Sequence, residues 1–126
     1  MKNIILISIC LMLNSGIFAN TQIDDVFEDA VTSFELKDYS KALDRFKSIE
    51  NEGIISADLF YNIGNCYFRL NEVGRSILYF KKALKVKSNH EAAQRNLKYA
   101  LTFTQDKQGS GSEDVIKSFW EKAFES

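Results

Sequence analysis

Apolar residues between positions 23 and 90 return at the three- and four-residue spacing of helices that bury one face: Val26, Phe27, Ala30, Val31 and Phe34, then Ala42, Leu43, Phe46 and Ile49. The same pattern then begins again. Phe60, Ile63, Gly64, Tyr67 and Phe68 form one stripe, and Ile77, Phe80, Ala83 and Leu84 form the next. Laid one above the other without a gap, residues 23–56 and 57–90 are blocks of equal length in which Phe34 falls on Phe68, Leu36 on Leu70, Phe46 on Phe80 and Lys47 on Lys81. Size is kept where identity is not: Phe27 meets Tyr61, Ala30 meets Gly64 and Ala42 meets Ser76.

The polar stretches Lys37-Asp38-Tyr39-Ser40 and Asn71-Glu72-Val73-Gly74 separate the stripes and predict turns between antiparallel helices. Each block is therefore expected to be a helical hairpin, its small residues set where the two backbones come closest, with Phe46 and Phe80 covering the adjoining hairpin. Thr21 (with Asp24 three residues on), Ser56 and Asn89 are placed to cap the first, third and fifth helices.

A further apolar side, Ala93, Leu97, Ala100 and Leu101, predicts an end helix over 91–104 with no partner helix behind it. Two hairpins and an end helix fall short of the three or so units such stacks usually need, so an apolar end is expected to stay uncovered. Residues 105–112 close on Gly109-Ser110-Gly111-Ser112, the composition of a flexible joint. Residues 113–126 then place Val115, Ile116, Phe119, Trp120 and Ala123 on one side of an amphipathic helix, with Lys117, Glu121, Lys122 and Glu125 elsewhere. It is too short to be stable alone. Three destinations stand open: its own array, which it would cap; a partner or a neighbouring copy, giving a homo-oligomer; and a membrane surface, which charges of both signs on the polar face disfavour.

The amino terminus follows different rules. Lys2 precedes a mostly apolar run from Ile4 to Leu13, which Asn14, Ser15 and Gly16 break before Ala19. That run is about half the roughly 20 residues needed to span a bilayer, so residues 1–19 are expected to be a secretory signal cleaved after Ala19. Ile17 is larger than the ideal residue two before the cut, which keeps an uncleaved membrane anchor open as the alternative. Cleavage would remove Cys10 and leave Cys66 alone, so the exported domain, residues 20–104, would be held by packing and not by an intramolecular disulfide. The absence of proline in 126 residues supports an all-α fold, and a net charge of -1 argues against nucleic acid as a partner.

The run Phe60-Tyr61-Asn62-Ile63-Gly64-Asn65-Cys66-Tyr67-Phe68, followed by Ser76, Phe80, Ala83 and Leu84, resembles the tetratricopeptide repeat signature. With Ala57 as the first position, Phe60, Ile63, Gly64 and Tyr67 take the large, Leu-like, small and aromatic places of that family. Departures are Ser76 for the usual Ala, Ser88 for the common terminal Pro, and Asp29 and Ser33 at two signature places of the first block. With the leader and with Asn96-Leu97-Lys98-Tyr99-Ala100, the chain also resembles the exported repeat proteins of bacterial aerotolerance (Bat) operons. That resemblance implies a cell-envelope location, on the periplasmic side. It also implies partners: von Willebrand A-domain membrane proteins and a chaperone-like ATPase.

The tetratricopeptide resemblance implies a non-catalytic scaffold that binds a protein or peptide along the face lined by the first helix of each hairpin. The matching positions are Phe27, Val31, Tyr61, Asn65, Phe68, Arg69, Arg95 and Tyr99, with Asn62 beside them. Asn62, Asn65 and Arg95 offer hydrogen bonds to a peptide backbone or terminal carboxylate, and Tyr61 and Tyr99 offer rigid apolar contacts. Phe27 stands where the family's carboxylate clamp has its first Lys, which points to a mixed apolar and polar ligand. No phosphate loop, metal-ligand spacing or serine elbow is present, so neither cofactor nor catalysis is expected. Cys66 is placed mid-helix at a small buried position and His90 at a solvated junction, too far apart in the repeat to work together.

Overall fold

The computed structural model describes residues 21–105, which form five α-helices and, among these described residues, no strand. In chain order they are α1 (21–35), α2 (Tyr39–Asn51), α3 (Ala57–Arg69), α4 (Val73–Val86) and α5 (Glu91–Gln105). The main packing joins α2 to α3, α3 to α4 and α4 to α5, as expected of stacked helical hairpins. The leader, most of the joint, and the amphipathic segment carrying Val115, Ile116, Phe119 and Trp120 lie outside the described residues.

Both hairpin turns use one device. Lys37 and Asn71, which occupy the same place in the two blocks, adopt the left-handed conformation with φ of 65° and 63°. The Lys37 N–H donates to the Phe34 carbonyl and the Asp38 N–H to the Ser33 carbonyl. Asn71 and Glu72 repeat this with Phe68 and Tyr67 at 3.1 and 2.8 Å. The turns are accordingly shorter than the polar stretches suggest, and Tyr39, Ser40, Val73 and Gly74 are already helical.

Ser56 caps α3 as its position implies, accepting from the Leu59 N–H at 3.3 Å, and Asp38 caps α2 by accepting from the Lys41 N–H at 3.1 Å. At two other helix starts the structure differs from the expected caps. Thr21 is itself a helical residue of α1. At the start of α5 the cap is His90 and not Asn89: its Nδ1 accepts from the Ala93 N–H at 3.1 Å. The proton of the ring then sits on Nε2, which donates to Asp58 Oδ1 at 2.9 Å, and the ring lies 5.1 Å from that of Tyr61. Expected in solvent, the His90 side chain is only 10% exposed, because α5 turns back onto the start of α3 and brings Asp58 and Tyr61 to it.

Ala30, Ala42 and Ser76 are completely buried, and Gly64 is buried with them. The reason for glycine is direct: a Cβ at Gly64 would lie 2.7 Å from two carbons of the Phe80 ring. Phe46 and Phe80 are each 1% exposed, and Cys66 is fully buried, its thiol pushed up to about 12 by burial. The Ser76 hydroxyl makes no hydrogen bond, so that position serves by its size. The polar departures in the first hairpin have their own partners. Asp29 pairs with Arg45 at 2.9 Å and Lys41 at 3.6 Å across α1 and α2, and the buried Ser33 hydroxyl donates to the Asp29 carbonyl at 2.8 Å. Ile63 and Tyr67 do the same work by apolar contact in the second hairpin.

A polar knot ties the two hairpins through α2 and α4. Glu50 accepts from Lys47, from Lys82 at 3.2 Å and from the Tyr79 hydroxyl at 3.0 Å, while Lys47 donates to the Tyr79 oxygen at 2.8 Å. Burial alone would push the Glu50 carboxyl up, but the hydrogen bonds from Lys47, Lys82 and Tyr79 outweigh it and hold the group below the ordinary 4.5. A carboxylate with a lowered folded-state pKa adds stability above its unfolded pKa and loses it as the pH falls through the folded value. Thermal unfolding midpoints should therefore fall below about pH 4.5, and Glu50→Gln should flatten that acid limb relative to the native chain. Equal acid slopes in the two proteins would deny Glu50 this role.

Candidate functional site

The first helices of the successive units face one side of the stack, and they converge on a pocket of ≈ 320 Å³. Phe34 comes from α1, Asn65, Phe68 and Arg69 from α3, Asn96 and Tyr99 from α5, and Phe80 of α4 reaches it from behind. The first helices of all three units contribute because equivalent residues lie one repeat apart: Phe34 precedes Phe68 by one block, and Asn65 precedes Tyr99 by the same step.

The polar part is an amide pair. Asn96 Nδ2 donates to Asn65 Oδ1 at 2.8 Å and makes a longer contact of 3.4 Å to the Tyr61 hydroxyl. This leaves the Asn65 amide N–H groups and the Asn96 carbonyl to face a ligand, a donor and acceptor set that suits a peptide backbone. The apolar part is an aromatic cluster. The ring of Phe68 lies 5.6 Å from Tyr99 and 5.4 Å from Phe103, and those two are 5.1 Å apart. Tyr99 is 57% exposed and Phe103 42%, so the cluster presents ring surface to solvent. Arg69 supplies the cation at the rim. Its guanidinium is stacked over Tyr39 at 4.7 Å, which holds it in place without neutralising it.

Of the residues expected along this face, Asn65, Phe68, Arg69 and Tyr99 line the pocket, and the others do not. Phe27 is drawn into the core, its ring edge-on to Phe46 at 5.3 Å, and Val31 packs against the same core. Tyr61 lies against Phe80 and His90, at 6.0 and 5.1 Å between ring centres. Asn62 is half-buried outside the pocket lining, and Arg95 is exposed beside Glu91 at 3.6 Å. The structure adds Phe34, Asn96 and Phe103 to this face. The repeat itself offered the signal for two of them: Phe34 is the block equivalent of Phe68, and Asn96 that of Asn62.

Among the described residues no group of three His, Cys, Asp or Glu side chains is placed to hold a metal ion. Among the same residues no helix is long and apolar enough to cross a membrane. The Cys66 thiol is buried and protonated, and His90 is engaged on both ring nitrogens.

Residues 57–90, which are α3, α4 and the junction up to His90, match the family model described as Tetratricopeptide repeat. The match covers the second block in its full length, with the boundaries that the internal periodicity defines. It supports a tetratricopeptide repeat protein, and repeats of this kind generally mediate protein–protein interaction. No curated protein matches the chain.

Proposed function

We propose that this chain is an exported, non-catalytic scaffold of the bacterial cell envelope whose groove between α1, α3 and α5 holds an extended segment of a partner protein. The carrying observation is the pocket in which the Asn65–Asn96 amide pair, the Phe68–Tyr99 rings and the Arg69 cation face one space. An extended strand fits that combination because its backbone can satisfy the amides while an apolar or aromatic side chain lies on the rings. An acidic group beside that side chain would meet Arg69. The leader pattern of residues 1–19 supports export, and the resemblance of Tyr61–Phe68 and Asn96–Ala100 to aerotolerance-operon proteins supports von Willebrand A-domain membrane proteins as partners. An uncleaved leader would make the same domain a membrane-tethered assembly factor. Mass spectrometry of the mature amino terminus separates the two.

The groove is tested by capture of those A-domain proteins from a native envelope extract, followed by titration of the captured partner. Arg69→Ala with Tyr99→Ala is expected to weaken binding by about tenfold to a hundredfold, as two partly exposed interface anchors at about 1 kcal/mol or more each would. Both side chains are exposed, so helix content should be unchanged. Native-like affinity in this variant would move the binding surface elsewhere.

A further inference from the structure

Among the described residues α5 has two exposed flanks, and they differ in kind. The flank that would receive a second helix, were a third hairpin completed, holds Gln94, Lys98 and Leu101, the block equivalents of Phe60, Gly64 and Tyr67. Where Gly64 lets the Phe80 ring lie against the α3 backbone, Lys98 puts a long charged side chain. A close-packed helix cannot sit there as α4 sits on α3. The groove-side flank is aromatic, with Tyr99 and Phe103 extending Phe68 toward the carboxy-terminal end of α5.

We propose that residues 113–126 fold back onto this aromatic end of the groove, laying Ile116, Phe119 and Trp120 on Phe68, Tyr99 and Phe103, so that the chain covers its own binding surface until a partner displaces it. Two observations choose this occupant. The stretch from residue 105 to residue 113 extends to about 26 Å, while Tyr99 and Phe103 lie within about 9 Å of Gln105 along the helix axis, so the segment reaches the patch without strain. Charge agrees as well. Glu113, Asp114, Glu121 and Glu125 outnumber Lys117 and Lys122 in the segment, and the exposed Arg69 lies at the rim of the groove. The occlusion rests on the groove being the partner surface proposed above; the docking does not.

Trp120 is the single tryptophan of the chain, so its emission reads the docking directly. In the dilute, monomeric full chain it should be blue-shifted from free tryptophan and shielded from iodide. Tyr99→Ser with Phe103→Ser should move both readings to free values, whereas Leu101→Ser on the other flank should leave them unchanged. Free-like emission in the native chain, or a shift that survives the double substitution, overturns the proposal. So does a shift that appears only on raising the protein concentration, which assigns the patch to a second copy, or only with phosphatidylglycerol vesicles, which assigns the segment to a membrane. Nitration of Tyr99 by tetranitromethane gives a reading free of any change in the patch. Deleting 113–126 should speed it several-fold, and an equal rate in both chains counts against docking. No partner enters these measurements, so their failure leaves the groove reading standing.

Discussion

Phe80→Ala is expected to remove about 3–5 kcal/mol of folding stability, the largest loss of any single truncation here. The ring is 1% exposed and joins three helices: it lies on Gly64 of α3, stands 6.0 Å from Tyr61, and shares a core cluster with Ile77 and Ala100, the latter on α5. Its removal would open a cavity where α3, α4 and α5 meet, and helix backbones fixed by their own hydrogen bonds collapse only partly into such a space. A domain of this size has about 5–15 kcal/mol in total, so urea unfolding should show a midpoint shifted far down, with α5 the first element to detach. A loss below about 1 kcal/mol would mean that the ring does not bridge the units.

Gly64→Ala carries the second large effect and is the sharper test of the close approach. On helix propensity alone the change should stabilise by about 1 kcal/mol. The new Cβ would instead lie 2.7 Å from the Phe80 ring, which is locked among buried neighbours, and a net loss of about 1–3 kcal/mol is expected. The two predictions are coupled. With Phe80→Ala already present the obstruction is gone, so adding Gly64→Ala should be neutral or gain about 1 kcal/mol. Simple additivity in this double-mutant cycle would show that Gly64 is required for some reason other than Phe80.

Most of the fold was legible because a helix repeats its buried face every three to four residues and the second block repeats the first at the same spacing. Ala30, Ala42, Gly64 and Ser76 read correctly for the same reason: only small side chains suit a helix crossing. The turns are shorter than their polar stretches suggest. Their determinant is a left-handed residue, and Lys37 and Asn71 are not glycines, so Tyr39, Ser40, Val73 and Gly74 looked like loop when they open helices. The burial of His90 is not legible locally, because its partners, Asp58 and Tyr61, lie a whole hairpin away in the chain. The groove was half legible. Spacing puts Phe27 and Tyr61 on the right helices, yet the edge-on contact with Phe46 and the stacking on His90 claim those rings for packing.

The left-handed pivots at Lys37 and Asn71 also bear on how the molecule comes apart. Each reverses the chain within its own hairpin, and the principal packing among α2 to α5 joins helices adjacent in order. Such a stack can unzip from either extremity while its middle stays intact. A ligand lying across Phe34, Asn65 and Tyr99 touches three separate helices at once and would act as a clasp, converting fraying ends into one cooperative unit.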